Sequence, residues 1–132
     1  MVLRGDYGAI RIKARTSIQD GTVIHASAGL PTIIGDGCVV GHLAHLEGCT
    51  VEDGSLVGSG SVVLHRAVVG AGALVGANAV VSNDTEVPPR AMALGVPAKM
   101  RLDAMPAGAI ELAAAAYVDN GKHYRASLRR ID

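Results

Sequence analysis

The residues best equipped for chemistry are three histidines and a carboxylate in one short stretch of chain. They are His25, His42, His45 and Glu47, preceded by the polar pair Gln19 and Asp20. Two imidazoles and one carboxylate form a donor set that zinc accepts, leaving a fourth position for water. Such a metal lowers the pKa of water to about 7 and makes a nucleophile at neutral pH. The question is what brings these side chains together. His65 and His123 lie apart from them in sequence and read as structural or surface residues.

The answer is a repeat. Every sixth residue from Val51 to Val87 is valine, and four places after each stands Ser55, Ser61, Ala67, Ala73, Ala79, Thr85 or Ala91. Neither a helix nor a two-faced strand repeats at six, so each hexapeptide forms one side of a three-sided coil. The valine points inward, the small residue fills the inner corner, and the residue after the valine faces out. Glycine or asparagine near the third or fourth place suits a corner that needs positive φ. Going backwards, the hexads continue through Leu46, Val40 and Ile34, then Ile24, Ile18 and Ile12. Two excursions interrupt them, one within residues 25–32 and one holding Asp6, Tyr7 and Gly8. The step from Leu46 to Val51 is one residue short.

Three hexads make a turn, so Val2, Ile24 and Leu46 are expected on one face, about 4.8 Å apart from coil to coil. This register stacks His25 under Glu47, with His45 pointing out beside them. On another face it sets Gln19 under Gly41 and Asp20 under His42. His42 therefore lies around a corner from the other two ligand candidates. Prisms packed around a threefold axis would bring one subunit's His42 to its neighbour's His25, His45 and Glu47.

Composition agrees with a narrow core of β-branched side chains. The chain has 132 residues, 49% of them apolar, with three Tyr and neither Phe nor Trp. Twelve basic residues balance twelve acidic ones, which gives no electrostatic footprint for nucleic acid or an anionic membrane. No secretory leader or membrane-spanning run is visible, and a cytoplasmic location is expected. Cys38 and Cys49 read as small reduced residues near corners. After Lys99 the pattern changes. From Pro106, Ile110, Ala114, Tyr117, Tyr124, Leu128 and Ile131 recur at helical spacings, which predicts an amphipathic helix packed along the coil. Asn120-Gly121 is a place where it could kink or split. The expected organisation is one domain, with β-helix over residues 1–100 and the helical segment over 101–132.

Several motifs in order carry a resemblance. Arg4-Gly5-Asp6, Ser17-Ile18-Gln19-Asp20-Gly21, Val23-Ile24-His25, Val40-Gly41-His42, Gly48-Cys49-Thr50 and Gly95-Val96-Pro97-Ala98-Lys99 resemble the γ-class carbonic anhydrases. The resemblance implies a left-handed parallel β-helix of hexapeptide repeats followed by a C-terminal helix, assembled as a homotrimer. It implies zinc, or another divalent metal such as iron or cobalt, between subunits, with carbon dioxide and bicarbonate as substrates of metal-bound hydroxide. His25 and a neighbour's His42 match two metal ligands of that family. Gln19 matches the residue that hydrogen-bonds the hydroxide, with Asp20 beside it, and Arg4 and Asp6 match subunit-interface contacts. Glu47 stands where the family has its third histidine, and His45 where it usually has an apolar residue. Ser17 replaces a usual asparagine, and family members commonly begin some forty residues earlier, so the start reads as truncated or its first coil as uncapped. A carboxylate in place of imidazole gives the metal more charge, and lower activity near neutrality is expected. Two rivals remain: an acyl-coenzyme A-dependent acyltransferase of the same repeat class, and a trimeric metal-binding scaffold without catalysis.

Overall fold

The structure, a computed structural model, describes residues 1–131. The chain winds into a left-handed parallel β-helix of about five turns and ends in one helix. Its first face stacks Val2–Arg4, Val23–His25, His45–Glu47, Val62–Val63 and Val80–Val81. The second stacks Ile10–Ile12, Thr32–Ile34, Thr50–Val51, Val68–Val69 and Glu86–Val87. The third stacks Ser17–Ile18, Val39–Val40, Leu56–Val57, Leu74–Val75 and Met92–Leu94, closed by the antiparallel strand Lys99–Arg101.

The hexad rule is met where it is strict. Every valine from Val51 to Val87 in that series is fully buried, as are Ser55, Ser61, Ala67, Ala73, Ala79 and Ala91. Each hexad turns its corner through a residue of positive φ three places after the inward valine: Gly54, Gly60, Arg66, Gly72, Asn78, Asp84 and Arg90. An L-residue in that conformation is strained. Arg66 and Asp84 occupy two such corners one above the other, and their side chains pair at 2.6 and 2.9 Å.

In the short step from Leu46 to Val51 the positive φ falls on Gly48, two places after the inward leucine. The missing residue is therefore the second outward one. Cys49 then takes the small inner-corner position, buried like Cys38. Burial pushes the Cys49 thiol up to about 12 and also raises that of Cys38. Both are free thiols in the core.

The structure corrects the expected register of the first coil. Leu3, not Val2, pairs with Ile24 and hence with Leu46, and Arg4 pairs with His25. Both Val2 and Leu3 are exposed, so in this coil burial does not distinguish the inward apolar residue.

The terminal helix, α1 (Ala109–Ser127), starts three residues after Pro106 and runs unbroken through Asn120-Gly121, the weak point where it could have kinked. One exposed glycine costs only about 1 kcal/mol in a helix this long. Ile110 and Ala114 bury against Val39 and Met105 on the third face, with Leu56, Leu74 and Met92 around them. Leu128 and Ile131, expected on its apolar stripe, lie beyond the last turn and are exposed. Among the described residues no helix is long and apolar enough to cross a membrane.

Burial of the valine ladder predicts a contrast between neighbours. Val69→Ala removes two core methyl groups and is expected to cost about 2 kcal/mol of unfolding free energy, Val68→Ala less than about 1. Urea denaturation of both variants measures the difference.

Candidate metal centre

Parallel stacking carries Arg4, His25 and Glu47 up the first face, one per coil, each immediately after an inward residue. Their side chains meet. Arg4 Nη2 lies 3.2 Å from His25 Nε2, and His25 Nδ1 lies 3.0 Å from Glu47 Oε1. A guanidinium has donors only, so Nε2 must accept from Arg4. The ring proton is therefore on Nδ1, which donates to Glu47. Arg4 Nε also pairs with Asp6 Oδ2 at 3.2 Å.

His45 is two residues before Glu47 on the same strand and points to the same side. Its Nε2 donates to Glu47 Oε2 at 3.2 Å. The fourth member is His65, from the coil above, whose Nε2 lies 3.2 Å from Glu47 Oε1. This approach is off the hydrogen-bonding direction, and the nitrogen, which has no accessible surface, has no better-aligned partner. Sequence reasoning set His65 aside as a structural or surface residue. The signal was present in the register: Val63 pairs with Leu46, so His65 overlies Gly48 beside Glu47.

One carboxylate thus sits among three imidazoles. Its side chain is 22% exposed, that of His25 14% and that of His65 30%. Burial alone would raise the Glu47 carboxyl, but contacts from His45, His65 and His25 outweigh it and hold the group at about 2. Glu47 is an anion at any pH near neutrality.

His42 stands elsewhere. It follows the third-face strand Val39–Val40, and its Nδ1 lies 3.5 Å from Asp20 Oδ2, stacked as the register predicts. Its side chain is 55% exposed. Gln19, whose backbone N–H donates to Val40 O, lines a groove of about 390 Å³ with Asp20, His42 and four α1 residues, Tyr117, Asn120, Gly121 and Tyr124. Among the described residues no three His, Cys, Asp or Glu side chains form a group that could hold a metal ion. A complete donor set would have to draw on a second copy of the chain.

The residues fit a divalent cation by donor chemistry. His25 Nδ1 and Glu47 Oε1 stand 3.0 Å apart, and a cation between them would need the ring proton moved from Nδ1 to Nε2, where Arg4 now donates. Neighbouring donors around tetrahedral zinc stand about 3.3 Å apart, from bonds of about 2.0 Å, so this pair is spaced to share an ion.

The depressed pKa of Glu47 predicts acid sensitivity. A carboxyl ordinarily at 4.5 and held at about 2 in the fold stabilises the fold fully above its unfolded value and loses that contribution as pH falls toward about 2. Glu47→Gln should flatten the fall in thermal midpoint across this window. A smaller slope should persist, because Asp53 is held down by the Asp36 backbone N–H and Lys13, and Asp84 by Arg66.

Comparison with known proteins agrees with the coil and the motifs. The family model "Bacterial transferase hexapeptide (six repeats)" matches residues 31–65 and 48–83. A Methanocaldococcus jannaschii protein named a probable carbonic anhydrase is 54% identical over 99 residues, 75% of this chain and 62% of the relative. The mitochondrial γ carbonic anhydrase 2 of Arabidopsis thaliana is 48% identical over 63 residues, 43% of this chain and 23% of that protein. The chain thus spans less than two thirds of the length of these curated relatives. Among solved structures, a Bacillus cereus protein assigned as an acetyltransferase superposes with a TM-score of 0.82 at 29% identity, covering 95% of this chain and 81% of that one. A hexapeptide transferase family protein from Anaplasma phagocytophilum gives 0.77 at 26% identity, covering 93% and 82%. The hexapeptide coil, the ordered motifs and these relatives support a γ-carbonic-anhydrase-like hexapeptide-repeat family for this chain.

Proposed function

We propose that this chain is a metalloprotein that hydrates carbon dioxide reversibly at a site shared between copies in a homotrimer. The observation that carries this reading is the division of the donors. His25 and Glu47 lie side by side at 3.0 Å on one face, while His42 projects from a different corner with Asp20. A neighbouring copy that sets its His42 against the His25–Glu47 pair completes a set of two imidazoles and a carboxylate. Zinc, or iron or cobalt, bound there would supply Lewis acidity that brings the pKa of water near 7.

The chain's own residues do the rest. Gln19 offers an amide, donor and acceptor, in the groove beside His42. Asp20, fully exposed, orients His42 through Nδ1. Arg4, paired with Asp6 and His25, keeps a positive charge beside the site for bicarbonate. Glu47, an anion where a neutral imidazole would leave the metal more electrophilic, lowers activity near neutrality. Two buried thiols support a reducing compartment, the cytoplasm.

A second reading has support from one observation, the close superposition on a protein assigned as an acetyltransferase. Against it, the two excursions are short and carry no histidine beyond His25, so the described residues offer no long histidine-bearing loop for acyl transfer.

Metal analysis after zinc loading, paired with carbon dioxide hydration assays, tests the proposal. Wild type should retain zinc, and Glu47→His should hydrate carbon dioxide faster. His42→Ala should weaken zinc binding by more than about 100-fold, beyond the range of outer-shell changes. Wild type that holds no zinc would leave a scaffold. Acetyl transfer from acetyl-coenzyme A to an amine would favour the second reading.

A further inference from the structure

Where a corner of the coil holds a side chain at positive φ, that side chain is polar, with a single exception among the described residues. Arg15, Arg66, Asn78, Asp84, Arg90 and Asp103 follow the rule, and Leu43, at φ 59°, breaks it. A leucine there carries the backbone strain of any L-residue without the local hydrogen bonds that let Asn or Asp tolerate it. It is also 71% exposed, so packing within its own chain does not account for it. In the corner column it stands above Gly21 and below Gly60, with Leu43 N–H donating to Asp20 O at 3.0 Å and Gly60 N–H to His42 O at 2.8 Å. A Cβ on Gly21 would collide with Leu43 Cδ2, so the side chain leans down over that glycine and leaves its outer flank open. The residue before it is His42.

A surface that fits such a knob lies on the first face. Val23, His45, Val62 and Val80 pair in turn up that face, each just before an inward residue, and the three valines are half-buried. Leu64 projects to the same side, two places after Val62. The terminal helix packs on the third face, against Val39, Leu56, Leu74 and Met92, and not on this one. The second face is more polar, its outward column running Arg11, Ile33, Thr50, Val68, Glu86. Rotation about an axis parallel to the prism preserves height. Leu43, two residues before the strand His45–Glu47, is therefore level with that strand in a neighbouring copy, where Val23 lies one coil below and Val62 one coil above. Charge agrees: Asp20, exposed beneath His42, approaches a face that carries Arg4 and His25.

We propose that Leu43 is the anchor by which one copy of this chain docks on the first face of the next, seated against the neighbour's Val23 and Val62, and that this contact holds His42 at the neighbour's His25–Glu47 pair. The second clause rests on the metalloprotein reading above; the docking needs only the threefold ring. The strain at the corner then has a function, since a leucine replaces a polar or glycine corner at the one place where His42 must be delivered to another copy.

Leu43→Asn separates docking from folding, because asparagine suits positive φ better than leucine and so removes the knob without harming the corner. Sedimentation across a dilution series of the metal-free protein reads assembly, and zinc titration at high and low protein concentration reads the site. Wild type should sediment as a trimer, and Leu43→Asn should keep the wild-type circular dichroism spectrum yet associate at least about 10-fold more weakly. Val62→Lys, on the receiving column, should do the same, and Val68→Lys, on the second face, should not. Zinc binding by Leu43→Asn should follow assembly, weak where the protein is dispersed and near wild type where it is concentrated. A Leu43→Asn trimer as tight as wild type overturns the proposal and, if it holds zinc, leaves the metalloprotein reading intact. Dissociation by Val68→Lys with Val62→Lys unaffected also overturns it. A wild-type trimer without zinc, dispersed by Leu43→Asn, upholds the docking and sinks the metal. A wild type that is monomeric at every concentration overturns docking and homotrimer together. Should Leu43→Asn misfold, Leu43→Gly, unstrained at that corner, decides by the same outcomes.

Discussion

Each coil hydrogen-bonds to the next along all three sides, and that parallel ladder dictates which side chains meet. A residue's neighbours above and below are set by its place in the hexad, at a spacing of about 4.8 Å. Inward places take Val, Ile or Leu because the prism is narrow. Inner corners take Ser, Ala, Cys or Thr because space there is small. Outward places are free of packing demands, and there the ladder can collect polar groups in columns. Arg4, His25 and Glu47 form such a column.

The column becomes a cluster because one residue is missing. Deletion of the second outward residue after Leu46 brings the turn at Gly48 up against Glu47 and removes the side chain that would otherwise lie under His65. A half-buried carboxylate left alone would be costly. Here three imidazoles surround it, those of His25, His45 and His65, and Arg4 stands behind His25. The attraction from the imidazoles exceeds the cost of burial, as the depressed pKa of Glu47 records.

Much of this was legible in the sequence, and the failures have physical causes. The strict valine series announces the coil, and the pairing of His25 with Glu47 and of Asp20 with His42 follows from counting hexads. The first coil was misread by one residue because Val2 and Leu3 are both apolar and neither is buried, so hydropathy carried no register there. Asn120-Gly121 was a weak point where the helix could kink or split, yet helical spacing on both sides overrides one exposed glycine. Leu128 and Ile131 fit the spacing but find no surface to pack on. His65 was missed because the register was carried forward as inward and outward places only. Extending the column one more coil, across the short step, would have set it over Gly48.

The same ladder that gathers His25, His45, His65 and Glu47 keeps His42 away. Inward residues Val40 and Leu46 lie on different faces, so His42 and Glu47 point from different sides of one prism. Rigid coils do not bend to remedy this, since every strand is hydrogen-bonded above and below. A donor set that includes His42 therefore requires a second prism turned about an axis parallel to the first, which presents one face of each copy to a different face of its neighbour. The Bacillus cereus and Anaplasma phagocytophilum structures superpose on the same prism. Outward places hold the column of donors and the one shortened corner, and it is there that the chemistry of this chain has to be decided.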